Sequence, residues 1–189
     1  TLTGVGIAVG SVAAGAGAAA DVTLDAGTGA ITDLQADTVT PDAEGFSVPD
    51  GVRTVNIVAD QLAMTADGNI GASGDPLDIT VNTVAAESTA GGLHLLESDA
   101  LQVGAVGDLT GITTDLGIQV ETLNGNLTVY QGINLSVDGT LTGGDLLLAA
   151  NGDGSDITLN ANVYVDGGDA TVLARDSVVQ NATLDVGFP

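Results

Sequence analysis

Apolar and polar residues alternate in short runs along the whole chain. Asp21 to Leu24 (DVTL), Leu77 to Val81 (LDITV), Asn126 to Val129 (NLTV) and Asp156 to Leu159 (DITL) set Val, Ile and Leu against Asp, Asn and Thr. That is the period of two expected of a half-buried strand. No stretch sustains the i, i+3, i+4, i+7 pattern of an amphipathic helix, and Gly, Thr, Asn, Asp and Val, all poor in helix interiors, dominate. The pattern predicts an all-β fold.

From about residue 117 one unit recurs, an acidic or amide residue followed by an alternating strand: GNLTV, GDLLL, SDITL and GDATV, beginning at residues 125, 144, 155 and 168. Repetition without helices predicts a β-solenoid, in the form of a right-handed parallel β-helix with coils of roughly 20 to 25 residues. The alternative is a β-sandwich, which Asn124-Gly125, Asp138-Gly139 and Asn151-Gly152 favour because such pairs signal hairpin turns. Composition argues against it. Aromatic residues are 2% of the chain, too few to fill a wide core. The inward candidates Leu127, Val129, Leu146, Leu148, Ile157, Leu159, Val163 and Val165 are near-uniform aliphatics suited to a narrow stack. At the ~4.8 Å strand spacing, ~9 coils would make a rod roughly 40 to 45 Å long.

The whole chain, 1–189, reads as one solenoid segment of a longer protein, interrupted at Asp33 to Arg53 (DLQADTVTPDAEGFSVPDGVR). Pro41 and Pro49 cannot donate ladder hydrogen bonds, so this stretch predicts a loop or flap inserted between coils. The opening Thr1 to Ala20 lacks a basic start followed by a continuous apolar stretch and reads as Gly/Ala-rich repeat, not as a signal peptide.

Charge narrows the partners. With 25 acidic residues against two arginines, no lysine and a formal charge of −23, nothing here neutralises a row of phosphates, which excludes nucleic acid as a partner. The same charge disfavours an anionic membrane surface, and no apolar run approaches the ~20 residues of a spanning helix. Without cysteine there are no disulfides and no thiolate metal sites.

Asp67 to Val106 (DGNIGASGDPLDITVNTVAAESTAGGLHLLESDALQVGAV) contains a G-x-I-G opening at Gly68 to Gly71, the pair Pro76-Leu77, a V-x-x-x-A-A step at Val81 to Ala86, a G-G-L strand at Gly91 to Leu93 and an E-x-D-x-L-x-V-G strand at Glu97 to Gly104. In this order the elements resemble the repeats of giant bacterial exoproteins of the filamentous haemagglutinin type. The resemblance covers about 40 residues and implies a right-handed parallel β-helix, secretion to the bacterial cell surface, and a role in attachment or cell contact. It would make the partners neighbouring repeats of the same chain and an unidentified surface receptor or glycan. It carries over no catalytic residue.

Candidate chemistry is sparse. His94 is the single histidine, placed by alternation on the surface opposite Leu93 and Leu95, so a zinc site or a relay lacks parts. Some parallel β-helices cleave acidic polysaccharides, but that needs cations, and Arg53 and Arg175 are far apart in sequence. The expectation is therefore a non-catalytic segment, with a polysaccharide-binding or polysaccharide-cleaving domain as the alternative. Thr38-Val39-Thr40 and Thr140-Leu141-Thr142 are isolated, which argues against the regular threonine rows of an ice-binding face. The one candidate metal site is Asn151 to Asp156 (NGDGSD), where Asn151, Asp153, Ser155 and Asp156 offer oxygens around small glycines. Calcium takes six to eight oxygen ligands, so Asp166 and Asp169, backbone carbonyls or water would have to join them.

Overall fold

The computed structural model describes residues 1–14, 20–35, 37–135 and 144–187. Among them every regular element is a strand. Parallel strands stack in about 7 turns to form a β-solenoid, a parallel β-helix. One column of aliphatic side chains, each directly over the last, runs Leu2, Leu24, Met64, Ala86, Ile112, Ile133, Val163, Leu184. The shortest steps, such as Ile112 to Ile133 and Leu2 to Leu24, match the coil length expected from sequence. Leu24 to Met64 is far longer because that coil carries the insertion, so about seven turns and a rod of roughly 34 Å replace the nine expected.

Alternation sets the faces as predicted. All eight inward candidates are buried, at most 1% exposed, in one continuous core. The two walls change shape along the rod. Thr83–Ser88 is a single long strand that pairs with Gln61–Ala66 before it, but the following coil divides into Leu101–Val103 and Ile112–Thr114, each pairing with part of it. On the opposite wall Leu93–Glu97 is the long strand. Its second half pairs with Leu77–Thr80, and its first residue bridges Ile70.

The Asn-Gly pairs serve as corners of the coil, not hairpins. Gly125 adopts φ of +98°, open to glycine at low cost, and a Cβ on Gly152 would stand 2.8 Å from Asn124 Cα on the coil beneath, so the two corners stack without room for a side chain. Asp138-Gly139 lies outside the described residues. That the chain turns corners between parallel strands, where a sandwich would fold back, disposes of the alternative architecture.

The expected interruption is an antiparallel hairpin, Val39–Pro41 with Ser47–Pro49. Both prolines end a strand of this two-stranded piece, where a missing N–H is tolerated. A second hairpin, Ala105–Val106 with Leu109–Thr110, packs Val106 and Leu109 over Ala63 and Ala85 on the outside of the opposite wall. The small side chains at those outward positions let it approach.

Candidate functional site

The first hairpin is a flap laid across the outer face of the wall formed by Leu77–Thr80, Leu93–Glu97, Ile118–Thr122, Leu146–Ala150 and Ala170–Ala174. Outward positions there would ordinarily be wet, yet Leu96 and Ala149 are buried, as is Phe46 on the flap. Polar contacts seat it. The Ser47 N–H donates to Glu121 Oε1 at 2.6 Å, Gln119 Nε2 donates to Ser47 Oγ at 3.1 Å, and Asn151 Nδ2 donates to the Ser47 carbonyl at 3.4 Å. At the tip Arg175 reaches Asp42 Oδ2 at 2.9 Å and lies 4.1 Å from the centroid of the Phe46 ring, a cation–π contact. Hydrogen bonds from Phe46, Glu44 and Arg175 overcome the opposing effect of burial and hold Asp42 below its ordinary value.

At the base of the flap four carboxylates converge. Oxygens of Asp33, Asp37 and Asp78 lie within 4.8 Å of one another. Burial, then the charges of Asp33 and Asp37, push Asp75 upward, which places it in the same field. Asp78 is enclosed and its Oδ1 accepts from Arg53 Nε at 2.7 Å; burial nevertheless raises it to about 6. Burial also raises Asp33, although its Oδ1 accepts from Gln35 N at 2.6 Å and from Asn56 Nδ2 at 2.6 Å. Asn56 is fully buried and binds the cluster together, its Oδ1 accepting the Asp78 N–H at 2.7 Å. Three oxygens here, Asp33 Oδ2, Asp37 Oδ1 and Asp75 Oδ1, are buried without a hydrogen bond. Arg53 is the one cation against four acids, a donor set of hard oxygens suited to a divalent cation such as calcium.

The hexapeptide singled out in the sequence does other work. Asn151 Oδ1 accepts from Arg175 Nε at 3.0 Å, Ser155 is buried with its Oγ accepting the Gly125 N–H at 3.0 Å, and Asp156 Oδ1 accepts the Ser177 N–H at 3.0 Å. Asp153 is exposed, as is Asp169, and Asp166 is partly buried. Those oxygens fasten the flap and join successive coils.

His94 faces outward as expected but is half-buried, its Nδ1 3.4 Å from Gln119 Oε1, and burial lowers its pKa. Two buried glutamates escape a sequence reading altogether. Glu121 is sealed under the flap, where burial raises it. Glu97 points into the coil at a corner, over Ile79 and under Thr122, and accepts the N–H groups of Val81 at 2.9 Å and Ser98 at 2.7 Å; burial still lifts it to about 8.

Two shallow recesses of about 340 Å³ each line the other wall, one walled by Asp25, Thr65, Asp67, Glu87 and Thr89, the other by Asp21, Thr23, Thr65 and Asp108. They present carboxylates and hydroxyls without a cation or a ring. No family model matches the chain, and neither does any curated protein or solved structure.

Proposed function

We propose that the chain is a non-catalytic structural or adhesive segment of a large secreted surface protein, a rigid spacer built to stack with further coils of its kind. One observation carries this reading. Coil stacks on coil in parallel register around one continuous aliphatic core, from Leu24 through Met64, Ile112 and Ile133 to Val163, the build of a stiff rod in which each coil is supported by its neighbours. The resemblance of residues 67–106 to exoprotein repeats supports placement at the bacterial surface in cell attachment. The rival is a polysaccharide-cleaving domain. Incubation with uronic-acid and neutral polysaccharides should release no new reducing ends, while particles coated with the chain should adhere to cells; sustained turnover would overturn the reading.

A second element is calcium, favoured by the three orphaned oxygens at the base of the flap. A cation there would pin the flap to the wall and offset the repulsion among the acids, stabilising the folded state by mass action. The melting temperature, compared in chelator and in millimolar calcium at fixed ionic strength, should rise by several degrees. Asp37→Asn should abolish the rise and Asp153→Asn should leave it intact. The absence of any shift removes the cation, and loss of the shift in Asp153→Asn alone moves it to the 151–156 corner.

A further inference from the structure

The two hairpins lie on opposite walls but differ in what they cover. The small one seals alanines. The flap seals a carboxylate. Glu121 is 0% exposed, and while its Oε1 takes the Ser47 N–H, its Oε2 is buried with no hydrogen bond at all. A charge on that carboxylate therefore has one half of its solvation replaced by the flap and the other half replaced by nothing, an unfavourable state unless it is relieved.

The surroundings relieve it only in part: burial raises Glu121, and hydrogen-bonding groups of Ser47 and Gln119 oppose that effect without cancelling it. From its own strand Glu121 meets Gln119, whose amide donates to Ser47 Oγ and whose carbonyl oxygen faces His94 on the neighbouring strand. The next outward positions on the flanking strands are the apolar Leu96 and Ala149. From the flap it meets Ser47 and the negative field of Asp42, which pushes it further upward. Both guanidiniums on this wall are engaged elsewhere, Arg175 by Asp42 at 2.9 Å and Glu44 at 4.0 Å, and Arg53 by Asp78 Oδ1 at 2.7 Å and the Leu96 carbonyl at 2.9 Å. Lifting the flap is the motion that rehydrates Glu121, and it leaves the solenoid core untouched because every contact involved lies outside the coil.

We propose that the flap is a pH-gated lid, closed over protonated Glu121 at lower pH and lifted as the pH rises, so that the outward apolar positions Leu96, Ala149 and Leu173 are uncovered. This device is independent of the spacer reading and of cation binding at the flap's base. Protonation of Glu121 removes the buried charge while the Ser47 contact persists, so acid favours closure. Ionisation favours the open form, in which water solvates both oxygens. Latch contacts at the tip are not the gate, since Asp42 sits below its ordinary value and stays charged throughout this range.

Hydrogen exchange with mass-spectrometric readout tests this. After correction for intrinsic chemical rates, protection of the peptide spanning residues 42–50 should fall between pH 5 and pH 8.5 by up to about tenfold per unit, the limit set by one proton. Protection of the core strand Ile118–Thr122 should stay constant. Glu121→Gln and Glu121→Leu, two ways of removing the charge, should each flatten the profile, and one folded variant of the pair suffices. Asp42→Asn should lower flap protection at every pH and keep the slope. A wild-type profile without slope overturns the lid, and so does a slope shared by flap and core, or one that survives removal of the Glu121 carboxylate.

Discussion

Replacing Leu148 with Asp should abolish cooperative folding, whereas the same change at its neighbour Leu147 should cost no more than about 1 kcal/mol. The contrast follows from the period of two. Leu148 is fully buried, stacked between Val120 on one coil and Val172 on the next, while Leu147 faces outward and is partly exposed. Truncating a buried leucine alone costs about 2 to 5 kcal/mol. An unpaired buried carboxylate adds several more, and the total reaches the whole stability of an ordinary domain. In a solenoid this damage spreads, because each coil is held only by its neighbours. Thermal unfolding followed by circular dichroism distinguishes the two variants; equal destabilisation by both would show that the faces are wrongly assigned.

Stability should be greater at pH 5.5 than at pH 8, by roughly 5 to 10 °C in melting temperature. Glu97 has an ordinary value of 4.5 and lies near 8 in the fold, raised by burial. The folded state therefore binds more protons than the unfolded chain across that interval. Its contribution is fully present below about 4.5 and is lost as the pH climbs toward 8, with a slope approaching 1.4 kcal/mol per unit, roughly. Glu121 and Asp78, also raised, act in the same direction, and relief of self-repulsion among the acidic side chains adds to it. Glu97→Gln keeps an oxygen for the Val81 N–H and cannot ionise, so it should remove close to one proton's worth of the slope. Stability that rose with pH, or a slope unchanged in Glu97→Gln, would contradict the burial of this carboxyl.

How much of this was legible in the sequence depends on distance along the chain. The inward residues were readable, since alternation is local and like stacks on like. The insertion at 33–53 was readable as a break in the pattern, but its seat was not: Ser47 meets Glu121 and Asp42 meets Arg175 across large separations, and nothing in the order of residues announces either contact. Asn151 drew notice as a calcium ligand because its neighbours are glycines and acids; the same small residues make a tight corner, and the amide is taken by Arg175 and Ser47. The acidic cluster was illegible because Asp33 and Asp37 come from one coil, Asp75 and Asp78 from the next. Glu97 looks like any surface acid, and only the neighbouring coil, which brings the Val81 N–H, makes it internal. The small hairpin did leave a signal, Gly107-Asp108 between two apolar residues, a two-residue turn of the kind that closes hairpins.

The chain has no cysteine, so pairs of spin labels can be placed at will. One outward column runs Asp25, Thr65, Glu87, Thr113, Asn134, Tyr164, Asp185, each residue beside the next in parallel register. Labels at Asp25 and Asn134 are four strand spacings apart and labels at Asp25 and Asp185 six, so pulsed dipolar measurements should give distances near ~19 Å and ~29 Å. Distances rising in that proportion are what stacked coils require. Equal distances for the two pairs, or a shorter one for the pair more distant in sequence, would mean that the chain folds back on itself and is not a rod.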